Sequence, residues 1–70
     1  MNEQRSMSWI EAMQIMEAGH RVRNQYFTPE EYFEMRDGRI YGEDGCSMHG
    51  WYRGEDWQKT GWSIVNKQAA

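Results

Sequence analysis

The 70-residue sequence contains no leucine, one proline and one cysteine. Without leucine, the branched aliphatics are only Ile10, Ile15, Ile40, Ile64, Val22 and Val65. The lone Cys46 excludes an internal disulfide framework. No apolar run approaches the ~18 residues of a membrane-spanning helix. Met1-Asn2-Glu3-Gln4-Arg5 lacks the apolar core of a signal peptide, so a cytoplasmic protein is expected. Positive charge is not in excess either. Eight basic residues against eleven acidic ones leave a net charge of −3, which gives no general attraction for a phosphate backbone; no direct nucleic-acid binding is expected on that ground.

In place of aliphatics the chain carries ten aromatics and six methionines. Ordering a residue costs about 1.5 kcal/mol, and in so short a chain burial does little more than offset that cost. With no disulfide to help, one domain that associates into a homo-oligomer is expected.

Ser8 followed three residues later by Glu11 forms a capping box, in which hydroxyl and carboxylate each satisfy a backbone N–H at the helix start. Trp9, Ala12, Met13 and Met16 line one face, while Glu11, Gln14 and Glu17 line another. Gly19 suits the left-handed residue that ends a helix. A helix over Ser8–Ala18 is expected. His20-Arg21-Val22-Arg23 reads as a short extended segment, and Thr28-Pro29-Glu30-Glu31 as a single turn.

Asp37-Gly38 between Tyr32–Arg36 and Arg39–Tyr41 is a two-residue hairpin signal, since a type I′ turn needs positive φ at both central residues. Pairing outward sets Arg36 against Arg39, Met35 against Ile40 and Glu34 against Tyr41. Phe33, Met35 and Ile40 then share the inner face, and Tyr32, Glu34 and Tyr41 the outer one. Segment 42–50, with its glycines, is either a second turn into Cys46–Met48 or a mobile loop. Trp51-Tyr52-Arg53 reads as a short strand, Gly54-Glu55-Asp56 as a turn, and Trp57–Val65 as a last strand with Gly61 as a bulge. Residues 1–7 and 66–70 are expected to fray. The fold class is α+β, one N-terminal helix packed on a small antiparallel sheet.

Catalytic patterns are weak. Cys46, His49 and His20 do not make a zinc set, and no third group orients a Cys/His pair. The acidic pairs Glu30/Glu31, Glu43/Asp44 and Glu55/Asp56 fall in turns rather than in a dry cleft. No enzyme, cofactor or metal is expected. The aromatics are more informative. Several adjoin Arg23, Arg36, Arg39 or Arg53, and aromatic faces beside guanidinium groups suit a nucleobase and a phosphate, or equally a subunit interface.

The run from Trp9 to Tyr26, a Trp-Ile-Glu-Ala helix, Gly19, then Val22-Arg23 and Tyr26, resembles the opening of the small phage proteins of the second Thoeris anti-defence type. Asp56-Trp57 and Gly61-Trp62-Ser63-Ile64-Val65 resemble that family's closing strand. The likeness covers the two ends of the chain and leaves Tyr32–Tyr52 unmatched; Tyr26 stands where tryptophan is usual, and Gly61 replaces an aspartate. It implies a phage or prophage protein that assembles as a homo-oligomer in the bacterial cytoplasm. There it would sequester a nucleotide immune signal, such as a cyclised ADP-ribose isomer, in sites between subunits. Carried over by position, Arg23 and Tyr26 would lie near the ligand, with Asp56 and Trp62 as further candidates. From the residues themselves, Tyr26, Trp51 or Tyr52 would stack on a base while Arg23 and Arg53 pair with phosphates. The rival expectations are a protein–protein inhibitor of a bacterial defence complex, and a prophage accessory protein with no ligand.

Overall fold

The computed structural model describes residues 6–65. Helix α1 spans Trp9–Glu17. Ser8 Oγ accepts from the Glu11 N–H at 3.1 Å, and Glu11 Oε1 accepts from the Ser8 N–H at 2.9 Å. Gly19, at φ 102°, turns the chain out of the helix. Four strands follow: β1 Arg21–Asn24, β2 Phe33–Arg36, β3 Arg39–Gly42 and β4 Trp62–Val65. They form one antiparallel sheet in the order β3-β2-β1-β4. The protein is therefore α+β, an N-terminal helix on a four-stranded antiparallel sheet, with a short second helix, α2, at Asp56–Lys59.

The hairpin has the expected register, Arg36↔Arg39, Met35↔Ile40 and Glu34↔Tyr41. Asp37 at φ 52° and Gly38 at φ 77° supply the two positive angles. Because side chains alternate along a strand, this register and the pairings Val22↔Phe33, Val22↔Ile64 and Asn24↔Trp62 define one inner face. There, Val22, Phe33 and Trp62 pack on Trp9, Ala12 and Met16 of α1. That small core is wrapped in partly buried Phe27, Met35, Ile40, Met48, Trp51 and Tyr52.

The second half departs from the expectations in three places and decides between the alternatives in a fourth. Trp51-Tyr52-Arg53 is not a strand; no ladder partner reaches it. The turn at Gly54-Glu55-Asp56 opens α2, whose acidic first turn and terminal Lys59 match the helix dipole, so β4 begins only at Trp62. Gly61 is not a bulge. At φ 86° it joins α2 to β4, and a Cβ there would come within 2.9 Å of Gln25 Nε2. Segment 42–50 takes the second-turn alternative, with the Met48 N–H donating to Ile40 O at 2.9 Å and the Gly42 N–H to Cys46 O at 3.0 Å.

At the chain's beginning, Met7 forms a two-way bridge with Trp62, and Ser6 Oγ accepts from the Gly61 N–H. Residues 6 and 7 are thus held rather than frayed, while the expectations for 1–5 and 66–70 lie outside the described residues. Among the described residues, no helix is long and apolar enough to cross a membrane.

The candidate aromatic cleft

Trp51 and Tyr52 owe their positions to a buried amide. Gln58 of α2 is 3% exposed. Its Oε1 accepts from the Arg53 and Glu55 N–H groups at 2.9 and 3.1 Å, and its Nε2 donates to Trp51 O at 3.0 Å. The segment has no sheet partner, so this one side chain supplies the backbone bonds that a ladder would have made. Asn24, fully buried at the end of β1, works the same way: its Nδ2 donates to Trp57 O and Thr60 O, and its Oδ1 accepts from the Tyr26 N–H. The two amides dock segment 51–60 against the sheet.

So docked, the aromatics form one connected cluster. Tyr52 stacks on Trp9 with centroids 4.7 Å apart and planes 4° from parallel. Trp51 stands edge-on to Phe33 at 4.8 Å and to Trp57 at 5.6 Å. Offset and edge-to-face geometries of this kind add about 0.5–1.5 kcal/mol per pair beyond burial. The aromatic surplus of the sequence is largely absorbed inside one chain.

Between the hairpin and segment 47–52 lies a cleft of about 540 Å³, within the size range of small-molecule sites. Trp9, Trp51 and Tyr52 wall it, Phe33, Ile40 and Met48 contribute apolar surface, and Arg39, Ser47 and His49 border it. None of its lining residues is a carboxylate. The acidic groups gather instead in a neighbouring hollow of about 230 Å³, bordered by Glu31, Glu43 and Asp44. Phe33, Met48 and Trp51 border both, so charge changes sign across a thin apolar wall.

Of the residues singled out from sequence, only Trp51 and Tyr52 meet in this cleft. Arg53 borders a third, shallower hollow with Glu55 and Trp57. Tyr26 is 68% exposed and meets Trp57 edge-on at 6.0 Å. Asp56 is solvent-exposed, 3.9 Å from Lys59. Arg23 spends its guanidinium on the backbone, donating to Phe27 O at 2.6 Å and Thr28 O at 3.3 Å, which fastens the loop after β1. Trp62 is wholly buried, and its indole N–H donates to Gln58 O at 2.7 Å. It is a core residue with no surface for a ligand.

The sequence reading missed Trp9, Arg39, Met48 and His49 as cleft residues. Trp9 lies on the helix's buried face, and the other three reach the cleft only through two consecutive turns. Cys46 is exposed, yet the adjacent Asp44 carboxylate pushes its thiol pKa up, opposite to the shift of an activated nucleophile. The Cys46 N–H, donated to Asp44 Oδ1 at 3.0 Å, holds that carboxyl below its ordinary value. Among the described residues, no group of three His, Cys, Asp or Glu side chains gathers to hold a metal ion.

No family model, curated protein or solved structure matches the chain. The chemistry of the cleft is argued from its residues.

Proposed function

We propose that the protein is a non-enzymatic binding protein that sequesters a small nucleotide-type anion in the aromatic cleft. The observation that carries this reading is the cleft itself: three large aromatic side chains around a space of about 540 Å³, bordered by Arg39 and His49 and free of carboxylates. Indole and phenol faces suit a planar base by stacking, and a guanidinium suits a phosphate by paired hydrogen bonds. The resemblance of the chain's ends to the phage anti-defence family supplies the ligand class, a cyclic nucleotide-type immune signal such as a cyclised ADP-ribose isomer. Removal of a signal by mass action needs no reacting group.

Association into a homo-oligomer is part of the same proposal. Ile10 and Tyr26, each 68% exposed, together with half-exposed Trp57 and Ile64, leave apolar area that a second copy would cover. The exposed Tyr26–Trp57 pair also favours the second reading, inhibition of a defence complex by protein contact, because such rings are enriched at interfaces.

Isothermal titration with cyclic ADP-ribose isomers and cyclic dinucleotides, with light scattering on the same samples, separates the readings. Saturable heat that Trp51→Ala abolishes while the circular dichroism stays native is the expected result. No heat with any nucleotide, from a protein that scatters as a monomer, would sink the proposal.

A further inference from the structure

The sheet has a second face, and α1 does not cover it. Helix α1 packs its Trp9, Ala12 and Met16 against Val22, Phe33 and Trp62 on the inner face. Alternation places Arg21 and Arg23 of β1, Glu34 and Arg36 of β2, and Arg39 and Tyr41 of β3 on the outer one. Four of the chain's eight basic residues therefore share a face with a single strand carboxylate, on a molecule whose net charge is −3.

The charges there are held in place. Arg21 lies 4.4 Å over the ring of Tyr32, and Arg36 lies 5.2 Å over the ring of Tyr41. Glu34, only 19% exposed, bridges the two through one oxygen to each guanidinium. A guanidinium resting on a phenol and braced by a carboxylate keeps its outer plane open and has already lost much of its rotamer freedom.

We propose that this outer face is a docking surface for single-stranded nucleic acid. Charge complementarity selects a polyanion: with Arg23 held by the Phe27 and Thr28 carbonyls, the guanidinium groups of Arg21, Arg36 and Arg39 against Glu34 leave about +2 on the face, enough for about two phosphates. The planar groups select among polyanions. Guanidinium planes and tyrosine rings offer stacking to the unpaired base that accompanies every phosphate, whereas the carboxylates that give an acidic polypeptide its charge bring no ring with them. A duplex buries its base faces, and a four-stranded sheet lying flat does not enter a groove about 12 Å wide. The overall negative charge argues against general attraction to nucleic acid, but this patch is formed by register, which composition does not reveal. The proposal stands apart from the aromatic walls of the cleft, and only Arg39, on the edge strand, borders both.

Fluorescence anisotropy of the full chain with a labelled oligothymidylate tests it. With a salt slope of about −0.7 per phosphate neutralised, two contacts predict about a 7-fold loss of affinity between 50 and 200 mM salt. Arg21→Glu combined with Arg36→Glu, neither of which borders the cleft, should abolish binding. Glu34→Gln should do the reverse, tightening binding at 50 mM salt and steepening the slope by about 0.7, a gain that misfolding does not produce. No binding at 50 mM salt, binding that ignores both sets of substitutions, or equal affinity for a polyglutamate of the same length would overturn it; the last result would identify the face as a contact for acidic protein.

Discussion

Replacing Gln58 by methionine isolates the contribution of one buried amide, because the two side chains have similar volume and only the hydrogen bonds are lost. Three backbone groups then lose their partner: the Arg53 N–H, the Glu55 N–H and the Trp51 carbonyl. All three bonds are partly buried, so water relieves some of the loss, and about 1 kcal/mol each is appropriate. The expected destabilisation is about 3 kcal/mol, a large share of the roughly 3.5–10 kcal/mol typical of a chain this long. At about 4–8 °C per kcal/mol, Tm should fall by about 12–24 °C. Because Gln58 holds the segment bearing Trp51 and Tyr52, the Tyr52–Trp9 stack should loosen first. Near-ultraviolet circular dichroism of the variant should therefore weaken even below its lowered Tm. Thermal and urea unfolding measure the global term. A Tm within about 4 °C of the parent, with an unchanged aromatic signal, would refute the idea that Gln58 organises the cleft wall.

Gly38→Ala puts a Cβ at φ 77° and should cost about 1–2 kcal/mol, read as a lower urea midpoint at unchanged slope. Ser8→Ala removes one half of the α1 capping box and should cost about 1 kcal/mol; loss of helical signal at 222 nm on warming would appear earlier. Glu34 carries the clearest pH dependence. Its hydrogen bond from Arg36, helped by Arg21, holds its carboxyl below the ordinary value of 4.5. A depressed folded-state pKa contributes stability that is full above the unfolded value and lost as pH falls through the folded one. Acid titration of stability should therefore show a decline below about pH 4.5 that Glu34→Gln flattens; an identical acid limb in both proteins would contradict the Arg21–Glu34–Arg36 bridge.

How much of this was readable in the sequence follows the range of the interactions. Ser8 and Glu11 are three residues apart, and Asp37-Gly38 carries its own turn conformation, so the helix start and the hairpin register were legible locally. Segment 51–60 was not. The alternation of Trp51-Tyr52-Arg53 resembles a strand, but its hydrogen bonds are met by Gln58 and its rings by Trp9, Phe33 and Trp57. The functional candidates divided similarly. Trp51 and Tyr52 line the cleft, whereas Arg23 and Trp62, basic and aromatic in the right company, are committed to a loop and to the core.

By itself the sequence determined the chemistry available: no leucine, hence a core built of rings and methionine; one cysteine, hence no internal disulfide; and the local elements whose signals lie within a few residues. Only the tertiary structure decided where those groups meet. Asn24 and Gln58 reach backbone more than thirty and up to seven residues away, respectively, and they form the cleft wall. The pairing of β1, β2 and β3 gathers four arginines onto one face of an acidic protein. Both outcomes depend on which segments pair across the fold, and composition and local spacing carry no record of that pairing.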